Sequence, residues 1–189
     1  MERKNDDGFT LIEITLVLAI AGLVFAAIFI ALSGVWADER DNERRSDMME
    51  FIRQLKNYQT NNSRGALPVG EGRISGEDIM KARCVKNGKT GCQQPLSTYE
   101  DNTWGGFYRD YFNDSFADPD GVNYDLSIAK CNSSVPLDSS CSIATSSAYT
   151  LYVTTGAVCY GEDAVRSANA RNVAVLYKME AGGTYCENT

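Results

Sequence analysis

The chain has 189 residues, of which 43% are hydrophobic, and it carries a formal net charge of −7 with no histidine. This length allows one modest domain with an additional element. The acidic balance argues against a general phosphate-binding surface, and nucleic-acid binding through one basic patch is an alternative that no motif supports. Because the sequence lacks histidine, a phosphate loop, a nucleophile elbow and a metal cluster, we expect no enzyme.

The apolar residues concentrate near the N-terminus. After a short charged segment, MERKNDDG, the 24 positions of residues 14–37 hold no charged residue and no proline, more than the ~20 that a membrane-spanning helix needs. A secretory signal peptide would have an apolar region of only ~7–15 residues and a positive segment before it. A simple membrane anchor fits the length but leaves Glu13 unexplained, because a carboxylate at the apolar edge is costly unless it finds a partner.

The sequence GFTLIE, which begins at Gly8, resembles the processing site of type IV prepilins and of the related pseudopilins. This resemblance implies that the first eight residues are a leader, that a prepilin peptidase cleaves after Gly8, and that the same enzyme N-methylates the new N-terminal Phe9. It also implies that Glu13, together with Phe9 and Thr10, acts in assembly. The leader differs from the family pattern, because its net charge is slightly negative where family leaders are usually basic.

Glu13 also has a physical reason to act in assembly. Cleavage after Gly8 would leave an ammonium on Phe9, about one helical turn before Glu13. In a bundle of stacked helices, the carboxylate of one subunit can meet the ammonium of its neighbour. An unpaired charge in apolar surroundings is costly, so this pairing selects one axial register rather than adding a large net stability. The alternative is a tolerated interfacial carboxylate.

Two glycines, Gly22 and Gly34, lie within the apolar run, and each costs a helix ~1 kcal/mol relative to alanine. Similar pilins show a melted stretch after assembly, and this resemblance predicts that the helix loosens around Gly22 in a filament. The alternative is that both glycines permit close packing between helices.

The helical pattern continues beyond the apolar run. We predict a transmembrane and filament-core helix over 9–37 and an amphipathic second half of the same helix over 38–62. Residues 38–47 are expected to be a solvated face, with ion pairs between subunits as the alternative. The apolar residues that recur at three- and four-residue spacing are Met48, Phe51, Ile52, Leu55 and Tyr58.

The remainder, 63–189, is predicted to be a globular head. Much of it is rich in turn-forming residues, with one short helix after Ser75. We predict an α+β fold in which the long N-terminal α-helix packs on a small antiparallel β-sheet head, the arrangement that pilins share. The strand-like runs lie at 122–128, 149–158 and 172–179.

The six cysteines indicate disulfides in an oxidising compartment, because no C-x2-C cluster of the kind that binds zinc is present. Six cysteines allow fifteen pairings. Local geometry favours sequential pairing, since Cys84 and Cys92 bracket an Asn-Gly turn signal, and Cys159 and Cys186 each follow one of the last two strand-like runs. Partly reduced, buried thiols are the alternative. The favoured pairs are Cys84–Cys92, Cys131–Cys141 and Cys159–Cys186.

Two further patterns have competing interpretations. The sequence FADPDG at 116–121 loosely resembles the Asp-Pro turn of major pseudopilins, in which carboxylates help to hold calcium. Asp-Pro-Asp-Gly is also a good turn, so we expect no cofactor, with calcium as the alternative. An aromatic cluster at 104–112, which includes Arg109, is expected to be core rather than a ligand-binding surface. The calcium candidates are Asp118 and Asp120, with Asp114 and Asp125 as further oxygen donors.

The function that these patterns favour is a structural subunit of a type IV pilus, polymerised through its N-terminal helix into an extracellular filament for adhesion, motility or DNA uptake. The alternatives within the family are a pseudopilin of a type II secretion-like machine and a minor or tip pilin. An uncleaved membrane-anchored binding module is the alternative from another class. The expected partners are further copies of the chain, the prepilin peptidase and methyltransferase, an inner-membrane assembly platform, and the membrane itself before assembly.

Overall fold

A computed structural model describes residues 9–62, 65–95, 99–113, 116–141, 143 and 145–189, without the side chains of 31–34. Its contacts divide the chain into two compact units, Met1–Glu39 and Arg40–Thr189, called here the N-terminal unit and the C-terminal unit. One long helix, α1 (Leu11–Asn61), contributes to both.

In the N-terminal unit, α1 consists almost entirely of apolar residues, and no proline interrupts it. An 18-residue window of this helix has a mean hydropathy of 2.8, and none of that window is buried. By length and composition, α1 is therefore long and apolar enough to cross a membrane.

In the C-terminal unit, α1 is amphipathic and turns its apolar stripe into the core. All five residues of the predicted stripe, from Met48 to Tyr58, are buried. The helix ends at Asn61, and the next residue, Asn62, donates from both its backbone N–H and its side-chain amide to the Tyr58 carbonyl. The predicted continuation of the helix beyond the apolar run is thus present.

The main sheet has five strands, and it is mixed rather than antiparallel as predicted. Three of the four neighbouring strand pairs are antiparallel, but strands β2 (Asp125–Lys130) and β3 (Thr150–Thr155) run parallel over their whole length. A parallel pair needs a long crossover connection, and the chain supplies one in the segment between Lys130 and Thr150. The strand order is β1 (Gly72–Ile74), β2 (Asp125–Lys130), β3 (Thr150–Thr155), β6 (Val173–Lys178) and β7 (Thr184–Asn188).

A two-stranded hairpin of β4 (Ala157–Tyr160) and β5 (Asp163–Arg166) forms a second sheet. The sequence pattern had predicted one strand over 149–158, but Gly156 divides it. Its φ of +74° is a backbone conformation that glycine adopts readily, so the chain leaves β3 and begins β4.

Two short helices flank the sheet. α2 (Gly76–Lys86) follows Ser75 as predicted, and it ends where Gly88, at φ +64°, donates to the Val85 carbonyl. α3 (Trp104–Tyr111) was not predicted as a helix, because two glycines follow its first residue. Those glycines are needed for close packing: a Cβ on Gly106 would lie 2.0 Å from the Glu100 carbonyl oxygen.

The aromatic cluster predicted as core is indeed buried and joins α3 to α1. Phe51 of α1 stacks on Phe112 with ring centroids 5.4 Å apart, and it meets Phe107 edge-on at 5.6 Å. Arg109 lies at the edge of this cluster and donates to the carboxylates of Asp101 and Asp110.

The six cysteines form sequential disulfides. Two of these close loops, one after α2 and one in the crossover connection between β2 and β3. The third joins β4 to β7 and so ties the hairpin to the C-terminal edge strand. The pairs are those favoured from the sequence, namely Cys84–Cys92, Cys131–Cys141 and Cys159–Cys186.

Candidate assembly site

The N-terminal end of α1 holds a capping box formed by Thr10 and Glu13. The Thr10 backbone N–H and hydroxyl each donate to Glu13 Oε2 at 2.8 Å, and the Glu13 N–H donates back to Thr10 Oγ1 at 3.3 Å. Such a reciprocal pair satisfies N–H groups that have no partner within the first helical turn. Thr10 therefore fixes the position of the carboxylate that the sequence predicts to act in assembly.

The other residues predicted for this site differ in their exposure and in their position relative to the capping box. Phe9 is 84% exposed and lies immediately before the capping box. Gly8, the predicted cleavage position, lies outside the described residues. Gly22 lies within α1, and a Cβ built there would meet no atom within 4 Å. Its loosening concerns an assembled filament, so it stays a prediction.

The large apolar side chains of α1 that the structure describes in the N-terminal unit are exposed. Large hydrophobic residues on every side of the helix are at least about half exposed, for example Ile14 at 48% and Leu23 at 73%. A helix that is hydrophobic all round is stable only inside a membrane or among other helices. Such a surface fits a membrane environment or packing against other apolar helices.

The C-terminal unit contains a second notable site, in which Arg44 of α1 is surrounded by carboxylates. The Arg44 side chain is only 4% exposed, and it donates two hydrogen bonds to Asp118, at 2.8 and 3.0 Å. It also donates to Asp41, Glu180 and Asp120 at 3.0–3.3 Å. We call Arg40, Asp41, Arg44, Asp118, Asp120 and Glu180 the Arg44 cluster.

The Arg44 cluster corrects the expectation of a solvated face over residues 38–47 at two positions, Asp41 and Arg44, while most of the other residues in this stretch are exposed. Asp41 and Arg44 are buried, because they contact the turn at 116–121 and the turn between β6 and β7. The Asp41 carboxylate accepts the backbone N–H groups of Glu180 and Ala181, both at 2.9 Å. Sequence reasoning missed this cluster because its contacts join positions more than 70 residues apart.

Hydrogen bonding within the cluster changes the ionisation of its acids. Burial opposes ionisation of Asp118, but bonds from Arg44, the Asp120 N–H and the Tyr177 hydroxyl outweigh it and hold the pKa of Asp118 below its ordinary value. Bonds first from Arg40 and then from Arg44 lower the pKa of Glu180 to about 2. Both carboxylates are therefore charged at neutral pH.

The predicted calcium candidates do not all come together. Asp118 and Asp120 lie in the Arg44 cluster, but Asp125 accepts hydrogen bonds from Arg73 and from the Gly76 N–H. Asp114 lies outside the described residues. Within the described part of the chain, no group of three or more His, Cys, Asp or Glu residues is placed to hold a metal ion.

Residues 3–29 match the family described as the prokaryotic N-terminal methylation motif. No curated protein and no solved structure matches the chain. The matched segment covers the start of α1, including the capping box.

The chain thus combines a methylation motif at the start of a long apolar helix with an α+β unit that carries disulfides. The matched motif supports a type IV prepilin-like protein or a related pseudopilin.

Proposed function

We propose that the chain is a pilin, the structural subunit of a type IV pilus. The observation that carries this proposal is the methylation motif at residues 3–29, which includes the start of a helix whose large apolar side chains are exposed wherever the N-terminal unit describes them. A prepilin peptidase would cleave after Gly8, and the mature chain would begin at N-methylated Phe9. The apolar helix would hold the subunit in the inner membrane until an assembly platform moves it into an extracellular filament.

The capping box gives the assembly step a mechanism. Thr10 uses Oε2 of Glu13, while Oε1 has no hydrogen bond to another described residue. This second oxygen can accept the ammonium of Phe9 from the neighbouring subunit without breaking the cap. Because an unpaired charge in the apolar bundle is costly, subunits with mismatched axial positions are rejected.

Pseudopilins remain the alternative within the same class. That alternative rested on the likeness of the acidic turn at 116–121 to a calcium-holding turn, and Asp118 of this turn is instead engaged by Arg44. Three disulfides in the C-terminal unit support a filament that is exposed to an oxidising exterior.

Mass spectrometry of the N-terminal peptide from the cell-derived protein tests the proposal. We expect a mature chain that begins at Phe9 with an added methyl group, and we expect filaments that can be sheared from cells and contain this chain. A protein that retains Met1 and stays in the membrane as a monomer would instead be an anchored binding module, and the pilin proposal would be wrong.

A further inference from the structure

All four hydrogen-bonding positions of the Asp118 carboxylate are used by groups of the protein itself. Its side chain is 0% exposed. Oδ2 accepts from Arg44 Nε at 2.8 Å and from the Tyr177 hydroxyl at 2.8 Å. Oδ1 accepts from Arg44 Nη2 at 3.0 Å and from the Asp120 N–H at 3.1 Å. A carboxylate has about four lone-pair directions, so Asp118 has none left for a metal ion.

The other acids of the cluster are also committed to arginine. Asp120 Oδ2 accepts from Arg44 Nη2 at 3.3 Å, and Glu180 accepts from both Arg40 and Arg44. Calcium needs six to eight oxygens at about 2.3–2.6 Å, all directed at one point. Here the oxygens are directed at the planar fork of a guanidinium, which is several ångströms wide.

We infer that Arg44 is the resident cation of the acidic turn, and that the C-terminal unit is stabilised there by a covalently attached positive charge in place of calcium. A guanidinium stays protonated at every physiological pH and cannot dissociate. The stability of the packing among α1, the turn at 116–121 and the turn between β6 and β7 is then independent of the divalent cations in the surrounding medium.

Removal of Arg44 would take away the positive charge that the acidic turn surrounds. Asp41, Asp118, Asp120 and Glu180 would then share the cluster with one arginine, Arg40, and like charges in a partly buried site destabilise the fold. The four carboxylates would also regain the lone pairs that Arg44 now occupies. A variant without Arg44 should therefore gain a response to calcium that the natural chain lacks.

The test is thermal unfolding of the full chain in detergent micelles, followed by near-UV circular dichroism of the buried aromatic residues. We expect the melting temperature of the natural chain to be the same with a chelator and with millimolar calcium. Arg44→Ala should melt roughly 10 °C lower, and calcium should restore part of that loss. The double variant Arg44→Ala/Asp118→Asn should lose the calcium response.

Arg44→Lys is the matched control and the fallback if Arg44→Ala does not fold. Lysine keeps the charge but not the two-pronged geometry, so this variant should melt a few degrees lower and remain insensitive to calcium. The inference would be overturned by a natural chain that loses stability on chelation and regains it with calcium. It would equally be overturned by an Arg44→Ala variant that melts like the natural chain, or by a calcium-dependent Arg44→Lys variant.

Discussion

Thr10 and Glu13 form a reciprocal pair at the first turn of α1, with two hydrogen bonds of 2.8 Å converging on one carboxylate oxygen. The cap starts the helix and at the same time orients the acid proposed to set the filament register. The two residues thus connect the local stability of a helix end to the geometry of assembly.

Thr10→Val should reduce the yield of filaments without preventing processing. The variant loses the hydroxyl, and the cap contributes on the order of 1 kcal/mol to a helix end. The loosened carboxylate should meet its partner less often. The yield of sheared filaments, relative to subunits held in the membrane, measures the effect. Thr10→Ser keeps the hydroxyl and should assemble nearly normally. An equal loss of filament yield in both variants would contradict the role of the cap.

Glu13→Gln separates the charge of this residue from its capping role. Glutamine can still accept from Thr10, but it cannot pair with the ammonium of Phe9. We expect cleaved, methylated subunits to accumulate in the membrane, with filaments reduced at least about tenfold, because the ammonium is left unpaired. Glu13→Val, which loses both roles, should be no better. Normal filaments from either variant would remove the argument for register.

Much of this architecture follows from local pattern. The apolar run and the stripe from Met48 to Tyr58 repeat at helical spacing, so the sequence predicts α1 through to its end near Asn61. The two cysteines of each disulfide lie at most 27 residues apart in the sequence, so pairing each cysteine with the next one along the chain predicts all three disulfides. The cap at Thr10 also has a recognisable signal, since Thr-x-x-Glu before an apolar run is typical of a capping box.

The features that sequence reasoning missed depend on contacts between distant segments. The parallel pairing of β2 with β3 is decided by where the crossover connection leads, and the strand pattern carries no information about it. Burial of Arg44 depends on Asp118, which is 74 residues away. α3 forms despite two glycines because Thr103 caps it by accepting the Gly106 N–H and because its aromatic face packs on α1.

The Cys159–Cys186 disulfide should stabilise the C-terminal unit more than Cys84–Cys92 does. It closes a sequence separation of 27 residues against 8, and in the chain-entropy model these loops correspond to roughly 3.6 and 2.6 kcal/mol. Paired serine substitutions, compared by denaturant unfolding in micelles, measure the difference. If the shorter loop proved the more important, strain or residual structure in the unfolded chain would dominate over loop closure.

Glu180→Gln should destabilise the C-terminal unit at neutral pH and cease to do so in acid. The pKa of Glu180 falls from an ordinary 4.5 to about 2 because Arg40 and Arg44 favour the charged form. A lowered pKa stabilises the fold above the ordinary value, and that stabilisation is lost as the pH falls towards 2. The difference in melting temperature between the natural chain and the variant should therefore shrink between about pH 4.5 and 2. A difference that is constant with pH would show that packing, and not charge, is responsible.

Asp47→Asn should have the opposite effect and stabilise the chain at neutral pH. Asp47 accepts a hydrogen bond from the Tyr124 hydroxyl at 2.8 Å. Burial raises the pKa of Asp47, and the nearby charges of Asp118, Glu43 and Glu50 raise it further. The folded state therefore binds a proton more readily than the unfolded state, and this carboxyl costs stability as the pH rises above its ordinary pKa of 3.8.

Asparagine keeps the acceptor for Tyr124 and removes the charge, so the melting temperature of Asp47→Asn should exceed that of the natural chain by about 1–3 °C at pH 7. The gain should vanish near pH 3, where both chains carry a neutral side chain at this position. Glu43→Gln removes the same charge from an exposed position one helical turn away and should give a smaller gain. If Asp47→Asn melted lower than the natural chain at pH 7, the carboxylate would have to be a net stabilising acceptor for Tyr124, because the amide keeps the geometry and loses only the charge.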